Sequence, residues 1–303
     1  MDIKIIERDL IELIKFNLHK IISLRNDFIQ KDDGSYVSKG DLFCDELVKE
    51  YFAKNFSEYI YITEESDRPV FDDSKAYIII DPIDGTENFI SGIPLWGIGI
   101  SMWKSGQHMF SMIMLPELNL HISSNTKFED SKIYSRIHGL SSSLDEELFV
   151  KSIKGKREVR ILGCCMFSMY LVINGSLQCF SNPVGANVWD IMPGLIIAHN
   201  LGYEIKVNGE KFQGEILNFN KNKVIEAKYF NYFGPISMAG IHYDYKSTKG
   251  NKLMEKQAKR EKKLAEKRAK REAKEGPRVE EEPEKTLDAS KPITLDFLTN
   301  PDK

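Results

Sequence analysis

The sequence predicts a layered α/β protein, and three observations carry that prediction. An apolar stripe at helical spacing opens the chain, a β-branched run near residue 80 ends in acids, and helices then alternate with strands around a meander. Ile6, Leu10, Leu13, Ile21, Leu24 and Phe28 recur at three- and four-residue steps, with a gap at Asn17. This predicts an amphipathic helix over residues 3–29 that packs on a sheet. The polar break QKDDGSYVSKGD follows, and a second helix is expected from Leu42 to about Phe56 with Asp41 near its N-terminus.

Two short strands, Tyr59 to Thr63 and Ala76 to Ile80, each end in acids. Ile78, Ile79 and Ile80 are the composition of a strand buried on both faces, and Pro82 with Gly85 is expected to stop it. Asp81 and Asp84 are then left at its lip. Acids in that position must be solvated, paired or bound to a cation, because unpaired burial is costly. Between Leu95 and Leu120 the pattern predicts two strands joined at Lys104-Ser105-Gly106-Gln107. Residues 121–158 are polar and poorly periodic and define no element. From Val159 the chain reads as a strand, an apolar helix from Met166 to Ile173 and a strand from Leu177 to Ser181. A last helix opens at Asp190, runs to about His199 and stops before Gly202.

Composition excludes several classes. No apolar run approaches the length of about 20 residues that a membrane span needs, and the start MDIKIIERDL interrupts any signal-like apolar region, so the expected location is the cytoplasm. Cys44, Cys164, Cys165 and Cys179 lack CxxC spacing, which predicts reduced, mostly buried thiols in place of a disulfide framework or zinc cluster. The formal net charge of −3 conceals a division: residues 246–275 carry 13 Lys or Arg against 5 Glu, so the remainder is acidic. KLMEKQAKREKKLAEKRAKREAKEG favours helix but is polar on nearly every face, and the proline-punctuated residues after it have the composition of a disordered segment. The expected organisation is a globular body over 1–237, a basic helical extension over 238–275 and a disordered tail over 276–303.

Four acidic stations stand at predicted strand and helix ends: Asp41 after VSKG, Glu64 and Glu65 in ITEES, Asp81 and Asp84 in DPIDGT, and Asp190 in VWD. Oxygen-only ligands of this kind suit a hard cation such as Mg²⁺, and the absence of paired His or Cys argues against zinc. In order and spacing, ITEES, DPIDGTENF and VWDIMPG resemble the EE, DPIDGT and WDxAAG signatures of the inositol monophosphatase family, and VSKGD is similar to its upstream TxxD element. The resemblance covers roughly residues 3–235 and departs from the family pattern at Met192 and Pro193.

That resemblance implies a layered α-β-α-β-α sandwich of the sugar phosphatase type. It also implies a Mg²⁺-dependent phosphomonoesterase for a small ester such as inositol 1-phosphate, a homodimer, and inhibition by Li⁺. It assigns Glu64, Asp81 and the Ile83 carbonyl to one metal, Asp81, Asp84 and Asp190 to a second, and a weaker third ion reaching Glu64 through water. Asp41 with Thr86 would position and deprotonate the attacking water, and the Gly85 and Thr86 amides would face the phosphate. Gly163 and Cys165 would face the substrate together with Asp84 and Asp190, and Glu65 would stand behind the ligand set.

Two substrates stay open. Inositol-specific members carry an acid several residues before the WD pair, where SNPVGANVWD has none. KDDGSYVSKGD also resembles the K-x-D-x-S-x-V-T-x-x-D loop of the 3′(2′),5′-bisphosphate nucleotidases, with Lys31 as a phosphate or water-network contact. A reading from another class makes the basic extension a binder of RNA or of acidic membrane. Its missing aromatics and its interspersed glutamates favour a solvated helix instead.

Overall fold

The computed structural model describes residues 3–32, 34–64, 69–127, 135–143, 158–217 and 222–229, with Val150 and Phe219. The chain divides into two units, Met1–Phe230 and Asn231–Lys303, and the description concerns the first. The expected extension over 238–275, the tail over 276–303 and Glu65 lie outside the described residues.

Helix α1 (Ile3–Ser23) buries Ile6, Leu10, Ile14 and Ile21 along one stripe. It ends before residue 29. Three-residue turns at Leu24, Arg25 and Asp27 tighten the chain, and Phe28–Gln30 (β1) turns back antiparallel to Tyr36–Ser38 (β2). The helical spacing of Phe28 masked this small hairpin. Helix α2 (Lys39–Asn55) starts earlier than expected because Ser38 caps it: Ser38 Oγ accepts from the Gly40 and Asp41 amides at 3.0 and 3.2 Å.

Strands β3 (Ile60–Thr63), β4 (Ala76–Asp84), β5 (Gly97–Lys104), β6 (Gln107–Leu115) and β7 (Leu120–Ser123) form a sheet in that order. β3 runs parallel to β4, and the other pairs are antiparallel. The expected β5–β6 turn forms at Ser105 and Gly106, whose φ of 51° and 71° fit a two-residue hairpin. Alternation along β4 serves two cores. Ile78 and Ile80 join the stripe of α1 with Val48 and Phe52 of α2, while Tyr77 and Ile79 face the opposite side. Each of these isoleucines is fully buried, which contributes about 1.5–3 kcal/mol per side chain and offsets the cost of the acids beside them.

Contrary to expectation, β4 continues through Pro82 to Asp84. Its register with β5 shifts, so that Asp81 pairs with Gly99 and Asp84 with Gly97, and the missing Pro82 N–H falls inside that irregularity.

A short helix α3 (Thr86–Ile90) follows β4. Helices α4 (Cys165–Ile173) and α5 (Val188–Asn200) fill the next layer. Their Met166, Met169, Trp189 and Leu195 pack against Ile79 and Ile113 on one side and Phe180 and Ile205 on the other. The second sheet contains β8 (Ile137–Leu140), β9 (Glu158–Ile161), β10 (Cys179–Ala186), β11 (Tyr203–Val207), β12 (Glu210–Lys211) and β13 (Asn222–Tyr229), in the order β12-β11-β13-β10-β8-β9. The strands from 203 onward were not expected, and β10 begins and ends later than expected. α5 opens at Val188 with Asp190 in its first turn, and Gly202 (φ 84°) closes it by donating to the His199 carbonyl at 2.9 Å. The described residues thus form layers α-β-α-β; the outer helical layer of the expected sandwich is not among them. All four cysteines are free, and no described helix is long and apolar enough to cross a membrane.

Candidate functional site

Parallel pairing sets the acids level with one another. Thr63 lies opposite Ile80, so Glu64 leaves β3 beside Asp81 of β4. Asp84 follows at the end of the irregular stretch, and Asp190 arrives from the first turn of α5. These four residues line one cleft of about 220 Å³ together with Ile83, Gly85, Thr86, Gly163 and Cys165. Of the residues assigned to metals, catalysis or substrate, all but Asp41 and Lys31 therefore line the cleft, and Glu65 lies outside the described residues. Asp41 is 3% exposed and reaches the cleft through Thr86, whose Oγ1 stands 3.0 Å from Asp41 Oδ1 and 3.1 Å from the Ile83 carbonyl and donates its one hydrogen to either.

Each acid is held by its own neighbours. Asp41 Oδ2 accepts from the Ser38 amide at 2.9 Å and from Ser38 Oγ at 2.5 Å, which completes the capping box of α2. Asp190 Oδ2 accepts from the Asn187 amide at 2.7 Å, the carboxylate half of such a box at the start of α5. Asp81 Oδ1 accepts from the Ile83 amide at 3.1 Å. Asp84 Oδ2 accepts from the Met166 amide at 2.5 Å and from Cys164 Sγ at 3.0 Å, which ties β4 to the N-terminus of α4. Gly85 has φ 87°, a left-handed turn that glycine adopts without strain.

Electrostatics set the character of the cleft. Burial, followed by the negative charges of Asp84, Asp190, Glu64 and Asp41, pushes the Asp81 carboxyl well above the usual range. Burial lifts Asp84 to about 6 and, with the Asp84 charge second, lifts Asp190 to about 8. Asp41 is raised by burial and partly restored by the hydrogen bonds from Ser38 and Thr86. No Lys or Arg is among the described residues lining the cleft; Lys31 reaches Glu64 from outside it, with Nζ 2.9 Å from Oε1. Asn187 Oδ1, also at the cleft, is buried without a hydrogen-bond partner among the described residues.

Mutually repelling oxygen donors with an open amide oxygen fit a hard divalent cation. Among the described residues no three His, Cys, Asp or Glu side chains are already gathered tightly enough to cage one.

Sequence reasoning missed three contributors. Cys164 clamps Asp84 across 80 positions of sequence, and no local pattern marks that contact. Asn88 Nδ2 donates to the Leu95 and Leu162 carbonyls at 2.7 and 2.8 Å, fixing the loop that carries Gly163; it stood within the quoted DPIDGTENF. Ser141, Ser142 and Ser143 form part of the wall, in the segment whose polarity defined no element.

The layered α/β fold thus brings four acids to one cleft. Comparison with known proteins supplies the family. Residues 5–232 match the model of the inositol monophosphatase family, and the chain belongs to it. An inositol-1-monophosphatase of Mesorhizobium japonicum is 26% identical over 192 residues, covering 57% of this chain and 72% of its own. A fructose-1,6-bisphosphatase/inositol-1-monophosphatase of Thermotoga maritima is 26% identical over 220 residues, covering 65% and 81%. Among solved structures, an IMPase/NADP phosphatase complexed with Mg²⁺ and phosphate superposes with a TM-score of 0.64 at 16% identity, covering 76% of this chain and 92% of that one. At that identity the likeness concerns the fold.

Proposed function

We propose that this chain is a Mg²⁺-dependent phosphomonoesterase whose substrate is a small phosphate ester of the inositol 1-phosphate type. The observation that carries this reading is the meeting of Glu64, Asp81, Asp84 and Asp190 at a cleft served by the Thr86–Asp41 hydrogen bond. When bound, Mg²⁺ held by Glu64, Asp81, the Ile83 carbonyl, Asp84 and Asp190 would neutralise the phosphate oxygens and acidify the attacking water.

The remaining work falls to the chain itself. The Thr86 hydroxyl hydrogen is directed at Asp41 or Ile83, so an Oγ1 lone pair would accept a hydrogen bond from water, whose proton would pass to Oγ1 only as the Oγ1 hydrogen moves to Asp41. Burial makes Asp41 a stronger base, which suits it to take that proton onward. The Gly85 and Thr86 amides would orient the phosphate, and Gly163, Cys165, Asp84 and Asp190 would border the leaving group.

An uncharged wall of Ser141, Ser142, Ser143 and Asn182 supports a neutral, hydroxyl-rich leaving group. One observation favours the bisphosphate nucleotide as a second reading: Lys31 brings a cation to Glu64. Phosphate release by the full chain with Mg²⁺ tests both, using inositol 1-phosphate, 3′-phosphoadenosine 5′-phosphate, histidinol phosphate and fructose 1,6-bisphosphate. Preference for inositol 1-phosphate is expected. Preference for the nucleotide would replace the first reading, and no turnover of any ester would overturn the phosphatase assignment. Homodimerisation in the cytoplasm and inhibition by Li⁺ belong to the same reading; a monomer by sedimentation, or Li⁺-insensitive turnover, would contradict those parts.

A further inference from the structure

Two helices carry the two halves of the proposed proton route, and one aromatic ring joins them. Thr86 opens α3 with Phe89 one turn later on the same side, while Gly40 precedes Asp41 in the first turn of α2. Phe89 is fully buried. A Cβ on Gly40 would lie 2.7 and 2.8 Å from Phe89 Cε1 and Cζ, whereas carbon atoms in favourable contact stand about 3.5–4.0 Å apart. The ring therefore rests on bare helix backbone beside Asp41, where no side chain fits. Helix propensity offers no reason for a glycine at that position; the ring does.

The ring is held from other directions as well. Trp96 packs edge-on against it with centroids 5.0 Å apart, and the Arg25 guanidinium lies 4.9 Å from its centroid. Glu117 Oε1 accepts from both neighbours, Arg25 Nη2 and Trp96 Nε1, at 2.5 Å each, which fixes the pair that fixes the ring. The geometry points to Phe89 and Gly40 as positioning residues: ring against backbone sets the approach of α3 to α2 and so holds Thr86 Oγ1 at 3.0 Å from Asp41 Oδ1. Neither residue lines the cleft, so both act through Thr86 and Asp41, and the inference rests on the reading of that pair as the proton route. G40A would have to move the ring or the helix by about 1 Å to restore ordinary contact. A 3.0 Å hydrogen bond does not survive a displacement of that size along its length.

Steady-state phosphate release by the full-length protein with Mg²⁺ tests this, using whichever of the four esters named above the wild type turns over best. G40A should lower kcat by about 10²-fold while KM stays within about threefold. F89L removes the two ring atoms that the added methyl meets, so G40A/F89L should recover about tenfold or more of the kcat lost in G40A. The deciding comparison is T86V, which has no hydroxyl left to position: there G40A should lower kcat by less than about threefold. If G40A does not fold, F89L takes its place, lowering kcat in the wild type and leaving it unchanged in T86V. An unchanged kcat in G40A, no recovery in G40A/F89L, or an equal drop in the T86V background would overturn this inference and leave the proton route intact. Wild-type kcat in T86V would overturn the route and this inference together, as would no turnover by the wild type.

Discussion

Replacing Thr86 with valine removes one oxygen while nearly preserving shape, and the consequences can be worked from two distances. Asp41 Oδ1 at 3.0 Å and the Ile83 carbonyl at 3.1 Å lose the one hydroxyl hydrogen they share, whereas Asp41 Oδ2 keeps both bonds from Ser38. Because Asp41 is 3% exposed, water cannot replace the lost donor freely, and stability should fall by about 1–3 kcal/mol. The chemical effect is larger. On the proposed mechanism the proton of the attacking water then has no route to Asp41, and losing general-base assistance should lower kcat by about 10²–10⁴-fold. That corresponds to about 3–5 kcal/mol in the barrier. Steady-state phosphate release gives kcat, urea unfolding gives the stability change, and T86S, which keeps the oxygen, controls for fold. T86V within about tenfold of wild-type kcat would refute the reasoning, as would T86S falling as far as T86V.

D81N should abolish nearly all turnover and weaken Mg²⁺ binding by calorimetry, yet without Mg²⁺ its unfolding midpoint should not drop, because Asp81 is 1% exposed among like charges; a stability loss would contradict the repulsion argument. G85A forces a left-handed backbone at φ 87° on a side chain and sets its Cβ 3.0 Å from Cys164 Cβ and 3.2 Å from the Gly163 carbonyl. Adding about 1–2 kcal/mol for handedness to about 1–3 for overpacking predicts a loss of about 2–5 kcal/mol, and an unchanged urea midpoint would count against it.

His108, packed 5.2 Å from Trp103 and 2.9 Å from Ser111 Oγ, has its pKa lowered by burial from 6.5 to about 4. A depressed folded-state value means the contribution is complete above pH 6.5 and is lost as pH falls toward 4, by up to about 3 kcal/mol. The raised carboxyls of Asp84 and Asp190 act in the opposite sense over the same acid range, so the test is the difference between wild type and H108Q: it should shrink by that amount between pH 7 and 4. A flat difference would exclude His108 as the cause.

Wherever the local pattern and the final packing agreed, the sequence was legible. Ile78 to Ile80 read as a doubly buried strand because each side chain meets a core, and Ser105-Gly106 read as a turn because its backbone demands it. Pro82 misled because a proline normally ends pairing, whereas here the register of β4 shifts around it. Phe28 continued the helical stripe of α1 but belongs to a hairpin made by pairing with Ser38. The acids of the cleft were visible as motifs, while Cys164 was not, since its partnership with Asp84 exists only after two distant segments meet. The strands from Tyr203 onward carried too little alternation to be separated from loop.

The two acids that open helices, Asp41 and Asp190, differ in kind from Asp81. Each accepts the amide of its helix's N-cap residue, so replacing it loosens a helix start as well as the chemistry. Asp81 starts no helix and is repelled by its neighbours. A selection that reads only cellular abundance would therefore mark Asp41 and Asp190 as intolerant and Asp81 as permissive. A selection that reads turnover would mark all three alike, and the disagreement between the two maps would separate the residues that build the cleft from those that only work in it.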